Sequence, residues 1–208
     1  DRAGFQLAFH AIGDRANRIA LDVFEAVAQA NGPRDRRGRV EHAQVVAMED
    51  IPRFARLAVI ASMQPAHETT DMRWAEQRLG PQRAKGAYAW ASLRNSGARL
   101  AFGTDYDVEP LSPLRGLYAC VTRELPAGGP PGGWQPQEKI SLDDCIRAYT
   151  SGSAYAEFAE GKKGELQEGE YADFVVLSED LTRIPPAQYT KVRVLRTVVG
   201  GRTVYQPQ

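Results

Sequence analysis

The sequence predicts an α/β fold in which helices cover a parallel sheet, and three observations carry that expectation. Short apolar runs of strand length alternate with segments whose apolar residues recur at helical spacing. The only three histidines among the 208 residues each close one of these runs, in LAFHAIGD (His10), RVEHAQ (His42) and ASMQPAH (His67). A fourth run, LAFGTD, closes on Asp105 in the same way. Scarce imidazoles and a carboxylate at successive strand ends suit the C-terminal face of a parallel sheet or barrel, where catalytic and metal-ligating groups gather.

The elements follow in order. After LAFHAIGD, the apolar residues Ala16, Ile19, Ala20, Val23, Phe24, Val27 and Ala30 fall on one face of a helix, which Asn31 and Gly32 end. Asp14 is expected to cap the start of this helix, and Arg15 is open between solvent and a substrate anion. The basic turn PRDRRG leads to the strand RVEHAQ and a second helix over about residues 49–58, with Pro52 in its first turn. VIASMQ, a polar excursion over residues 66–86 and the helix-like AYAWASLRNSG make a third unit, and RLAFGTD with PLRGLYACVTREL makes a fourth. Residues 126–136, PAGGPPGGWQP, hold too much glycine and proline for regular structure and read as a crossing or a lid. Ser141 and Asp144 form a capping-box-like start to the helix SLDDCIRAYT, and a short helix is expected over SAYAEFA. From Gly164 the texture turns to β, with the strand FVVL and a hairpin about Gly200 and Gly201. The expected division is residues 1–163 as the α/β part and 164–208 as a β segment.

Composition narrows the function. Lys plus Arg and Asp plus Glu number 26 each, so the formal charge is zero, and the absence of a basic stripe argues against nucleic acid as a partner. No apolar run approaches the roughly 20 residues of a membrane span, and DRAGFQLAFH lacks the apolar stretch of a secretory signal, so a cytoplasmic protein is expected. The opening at Asp1, almost directly on a strand, reads as a start inside a longer protein. Cys120 and Cys145, set among apolar neighbours in predicted helices, are expected to be buried reduced thiols. Phosphate-binding loops, dinucleotide fingerprints, C-x-x-C and G-x-S-x-G are all absent.

Five motifs then occur in order: HAIGDRA at 10–16, VEHAQ at 40–44, ASMQPAH at 61–67, GTDYDVEPLSPL at 103–114, and G-x-L-x-x-G-x-x-A-D from Gly164 to Asp173. Together they resemble the metal-dependent amidohydrolase superfamily, and within it amidohydrolase family 3, which includes formamide deformylase-like enzymes. The resemblance implies a distorted (β/α)8 TIM-like barrel plus a small β-sandwich, of which this chain supplies strands five to eight and a share of the sandwich. It implies His10, His42 and Asp105 as metal ligands, with Asp105 also the general acid and base. Neutral imidazoles and a carboxylate suit Zn²⁺, which lowers the pKa of a bound water to about 7 and makes hydroxide at neutral pH. One or two divalent ions, zinc first, and hydrolysis of a non-peptide or small amide C–N bond are thus expected.

His67 has no metal position in the resemblance and stays open between polarising a substrate carbonyl and fixing the loop beyond its strand. Gln64 is open between lining the pocket and satisfying loop backbone. Glu41 should alternate to the face opposite His42, and the role of Asp107 is open. The family's first-strand H-x-H pair and fourth-strand ligand have no counterpart here, so a second class, a non-catalytic barrel fragment acting in binding or assembly, stands beside the enzyme. The chain alone is expected to be inactive. With sheet edges open and the inward apolar side chains of LAF, VIASM and LAF uncovered, it is expected to pair with a second copy or with a missing N-terminal half.

Overall fold

The computed structural model describes residues 1–207. Four parallel strands, β1 (Ala8–Ala11), β2 (Arg39–His42), β3 (Ile60–Met63) and β4 (Leu100–Phe102), pair in sequence order. The register sets Phe9 against Val40, Val40 against Ala61 and Ala61 against Leu100. The connections are helical: α1 (Asp14–Asn31) after β1, α2 (Ile51–Arg56) after β2, and α3 (Pro65–Asp71), α4 (Ala75–Ala84) and α5 (Trp90–Asn95) between β3 and β4. Then come α6 (Leu114–Thr122), α7 (Leu142–Tyr149) and α8 (Ser151–Ala156), and an antiparallel sheet of β5 (Phe174–Leu177), β6 (Val194–Val199) and β7 (Arg202–Tyr205).

The strands place Val40, Ala61, Met63, Leu100 and Phe102 in one core with Leu21 and Phe24 of α1, Phe54 of α2, and Trp90 and Leu93 of α5. Each large apolar side chain buried there contributes roughly 1.5–3 kcal/mol. The opposite face differs from the expected apolar one. Period-two alternation gives it Arg39 and Glu41, which form an ion pair at 2.8 Å, together with Ser62. Its few apolar members, Ile60 and Ala101, are covered by Ala156 and Tyr155 of α8. The apolar runs LAF and VIASM thus spend most of their hydrophobic residues on the helical layer.

Several sequence expectations are corrected. Residues 66–86 are largely helical. Pro65 occupies the first helical turn of α3, where its missing N–H costs nothing, and α4 bends where Gly80 takes φ 74°, just before Pro81. Asp14 is the first residue of α1 rather than its cap, a position held by Gly13. Its carboxylate accepts from Arg83 at 2.7 and 3.0 Å. Cys120 and Cys145 are joined in a disulfide, because α6 and α7 pack with these Cα atoms 6.3 Å apart. The glycine- and proline-rich loop folds back onto the end of α6, where the Trp134 N–H donates to Arg123 O at 2.8 Å.

Two expected features are present as read. Ser141 Oγ accepts from the Asp144 N–H at 3.1 Å at the start of α7. Gly200 and Gly201, at φ 55° and 76°, form the β6–β7 turn that positive φ at both central residues requires. Leu181, Tyr189 and Val192, from the segment between β5 and β6, enter the main core, and the 3-10 turn Pro186–Lys191 packs on α6. The antiparallel sheet is tied to the α/β layer through that segment.

Candidate metal centre

Because β1 to β4 run parallel, the residues at their C-terminal ends share one rim. His42 ends β2 and leaves the extended conformation, with φ 77°, and Ala43 follows at φ 43°. In the regular register His42 lies beside Ala11, whose face is turned to the helices. The left-handed turn redirects it, so that its ring meets the ring of His10 edge to face, with centroids 4.6 Å apart. Asp105, three residues beyond β4, also has positive φ, 55°. Such backbone is costly outside glycine, and its occurrence at both strand ends points to a constrained site.

His67 lies in the first turn of α3, not in a loop, and this helix turns its ring to the rim. One ligand atom from each of His42, His67 and Asp105 lies within 4.8 Å of the others. The rings of His42 and His67 stack with centroids 6.2 Å apart, and His67 Nε2 is 3.5 Å from Asp105 Oδ2. The His67 side chain is 11% exposed and that of Asp105 41%, so the cluster is open to solvent on the Asp105 side. His10 touches His42 but stands outside the three-atom set.

Gln64 orients the cluster rather than the loop backbone: its Oε1 lies 2.8 Å from His42 Nδ1. An amide oxygen accepts, so Nδ1 carries the proton and Nε2 presents its lone pair to the rim. Asn17, fully buried in α1, donates to the carbonyls of Gly13 and Val45 at 3.0 and 3.1 Å. It thereby ties the loop after β1 to the loop after β2. Asp107 is exposed, Glu41 is engaged by Arg39, and among the described residues no side-chain hydrogen bond or ion pair joins Arg15 to the cluster.

The structure adds groups that the sequence reading missed. Asp71, one helical turn after His67, accepts from the Tyr88 hydroxyl at 2.6 Å and from Gln44 Nε2. Burial pushes the Asp71 carboxyl above its usual range, against the hydrogen bond from Tyr88 and the nearby His67. Burial, with the Asp71 charge, also raises the Tyr88 phenol well above its ordinary value, so that it stays a donor. Glu109, buried in the loop after β4, lies 3.7 Å from His67 Nδ1. The i, i+4 spacing of His67 and Asp71 was the available signal, legible only once residues 65–71 are taken as a helix.

Two imidazoles and a carboxylate make a donor set suited to a zinc-like ion. The three ligand atoms lie within 4.8 Å of one another, against the roughly 3.3 Å between ligands of a tetrahedral site. A parallel sheet that collects such donors on its C-terminal rim is the arrangement of metal-dependent α/β hydrolases. Residues 1–205 match the model of the Amidohydrolase family, and the chain belongs to that family. It is similar to the protein LONG AFTER FAR-RED 3 of Arabidopsis thaliana, with 41% identity over 99% of this chain and 35% of that protein. It is also similar to an N-substituted formamide deformylase of Arthrobacter pascens, with 28% identity over 99% of this chain and 37% of the enzyme. Among solved structures, an uncharacterized metal-dependent hydrolase from Pyrococcus furiosus superposes with TM-score 0.69 and 34% identity, over 82% of this chain and 33% of that one. The chain spans little more than a third of the length of these curated relatives. No described helix is long and apolar enough to cross a membrane.

Proposed function

We propose that the complete gene product is a cytoplasmic metal-dependent hydrolase of small, non-peptide amide C–N bonds, and that this chain supplies strands five to eight of its (β/α)8 barrel. The observation that carries the reading is the convergence of His42, His67 and Asp105 within 4.8 Å at the open rim. His42 and Asp105 of the converging set would hold the ion, with His10, whose ring meets that of His42, as the further ligand from the neighbouring strand and His67 left to the substrate, and zinc is the ion that suits these donors. Once bound, the ion contributes an acidified water and a polarised carbonyl. Asp105 takes the proton released as water oxygen adds to the carbonyl carbon, then delivers it to the nitrogen as the C–N bond breaks, leaving a carboxylic acid and an amine. Gln64 keeps His42 in the ligating tautomer, and His67 faces the reacting carbonyl. Substituted formamides and N-acyl amines are the first substrates to try, given the named activity of the Arthrobacter relative.

The test is elemental analysis of the purified complete protein, with a panel of N-formyl amines, N-acyl amines and cyclic amides assayed before and after chelation. At least one zinc-like ion per chain is expected, with turnover lost on chelation and restored by metal. A protein without metal that hydrolyses none of the panel would leave the non-catalytic binding or assembly reading in its place.

The same proposal predicts association. Among the described residues β1 and β4 pair on one side only, and unpaired strand edges recruit partners. Light scattering on the isolated 208-residue chain should show a dimer or larger species, or a complex when the upstream part is co-expressed. A folded monomer of 22.9 kDa would defeat the half-barrel assignment.

A further inference from the structure

We propose that Tyr106, Val108 and Leu111 form the subsite for the substituent on the scissile nitrogen, and that the amine released is apolar and carries no carboxylate. The inference rests on the hydrolase reading above and deepens it by naming the substrate class. These three side chains belong to the GTDYDVEPLSPL motif, of which only Asp105 enters the proposed reaction. They are 69%, 69% and 70% exposed, and Ile12, two residues beyond His10, is exposed as well. Large apolar side chains gathered in water beside a candidate site mark a place where something apolar binds. The loop that carries them is firmly held. The Val108 N–H donates to Asp105 O at 2.8 Å and closes a turn over residues 105–108. Glu109, next in the chain, is buried, accepting from Thr70 Oγ1 at 2.7 Å and pairing with Arg115 at 3.1 Å. A glutamate is thus taken in and three large apolar side chains are left out, the reverse of an ordinary surface loop.

The reaction says which part of the substrate lies there. The water oxygen bonds to the carbonyl carbon, the C–N bond breaks, and the proton that water loses passes through Asp105 to the departing nitrogen. That nitrogen must come within reach of Asp105, so the group it carries lies along the same turn, on Tyr106 and Val108, while the carbonyl is turned to His67. A protein segment packed over Tyr106 and Val108 would lie across the Asp105 carboxylate, which is open to solvent, so the occupant is substrate rather than another chain. Charge narrows the class. Asp105 and the exposed Asp107 stand on one turn and repel an anion, which disfavours an amine that bears a carboxylate, as an amino acid does. An alkyl amine gains about two- to fourfold for each methylene the subsite removes from water.

The experiment measures kcat/KM of the complete gene product, with metal in excess, on two series. One is N-formyl amines lengthened from methyl to pentyl, and the other is N-acyl methylamines lengthened equally on the acyl side. Along the amine series kcat/KM should climb about two- to fourfold per methylene. Tyr106→Ser combined with Val108→Ser should flatten that climb, so that the loss grows with chain length, and should leave the slope of the acyl series as in wild type. Both side chains are exposed, so the double variant is expected to fold, and its thermal midpoint checks this. N-formyl norleucine, which adds a carboxylate to the pentylamine chain, should be slower than N-formyl pentylamine by at least about tenfold. Equal flattening of both series, or a uniform loss with a fall in thermal midpoint, would make the loop structural and overturn the proposal. So would an amine slope that the double variant leaves unchanged, or faster turnover of the norleucine compound. In each of these cases the hydrolase reading still stands. Hydrolysis of neither series also overturns the subsite, and the hydrolase reading falls with it only if the cyclic amides are left intact too.

Discussion

Asp105→Asn in the complete protein is expected to lower turnover by about 10²- to 10⁴-fold while shifting stability by less than about 1 kcal/mol. The asymmetry follows from where Asp105 sits. Its φ of 55° is a conformation that asparagine adopts as readily as aspartate, and its side chain is 41% exposed, so the fold is hardly affected by the exchange. What disappears is the carboxylate that, in the proposed reaction, accepts a proton from water and returns it to the leaving nitrogen. The variant also alters one of the proposed ligands, so the assay must be run with metal in excess and the bound metal counted. At matched occupancy, near-normal turnover would remove Asp105 from the chemistry. A collapse of the thermal midpoint would show that it serves the fold.

The parallel sheet was legible because each of its strands is an apolar run bounded by turn residues. LAFHA, RVEH, IASM and LAF fall on β1 to β4 within a residue or so. The strand-end histidines were legible for the same reason, since a parallel sheet brings every C-terminal end to one rim. The direction of each side chain was not. Alternation alone turns His42 toward the helices, and only the left-handed backbone at His42 and Ala43 brings its ring onto His10. His67 was taken for a loop residue because MQPAH lies just beyond a strand, yet the proline there occupies the first turn of a helix. Glu109 and Asp71 were missed for a different reason: an acidic residue in a polar segment looks solvated until the tertiary fold closes over it. The Cys120–Cys145 bond depends on the packing of α6 on α7, which no local pattern encodes.

Glu68 belongs to this last group, and its burial makes the stability of the protein pH-dependent in an unusual sense. Its side chain and that of Arg123 are both 0% exposed, yet Arg123 Nε lies 3.9 Å from Glu68 Oε1, beyond hydrogen-bond reach. The guanidinium is used elsewhere: it donates to Trp134 O at 2.6 Å and Tyr88 O at 2.9 Å, and lies over the Trp90 ring at 4.5 Å. Neither Glu68 oxygen has a hydrogen-bond partner, so burial outweighs the attraction of Arg123 and pushes the carboxyl up to about 8. The unfolded chain releases this proton near pH 4.5, whereas the folded one retains it to about 8. Over that window the folded state binds more protons, so stability falls as pH rises, at no more than about 1.4 kcal/mol per pH unit from this group. The contribution is complete below the unfolded pKa and gone above the folded one. Glu68→Gln mimics the protonated acid, and urea unfolding at several pH values between 5 and 8 should show it gaining on wild type as pH rises, by a few kcal/mol at the upper end. Arg123→Met should instead cost about 3–5 kcal/mol throughout, because it strips donors from two buried carbonyls that hold the loop at Trp134 and the turn at Tyr88. If Glu68→Gln proves as damaging as Arg123→Met at neutral pH, Glu68 is ionised in the folded protein and the two residues form a true buried ion pair.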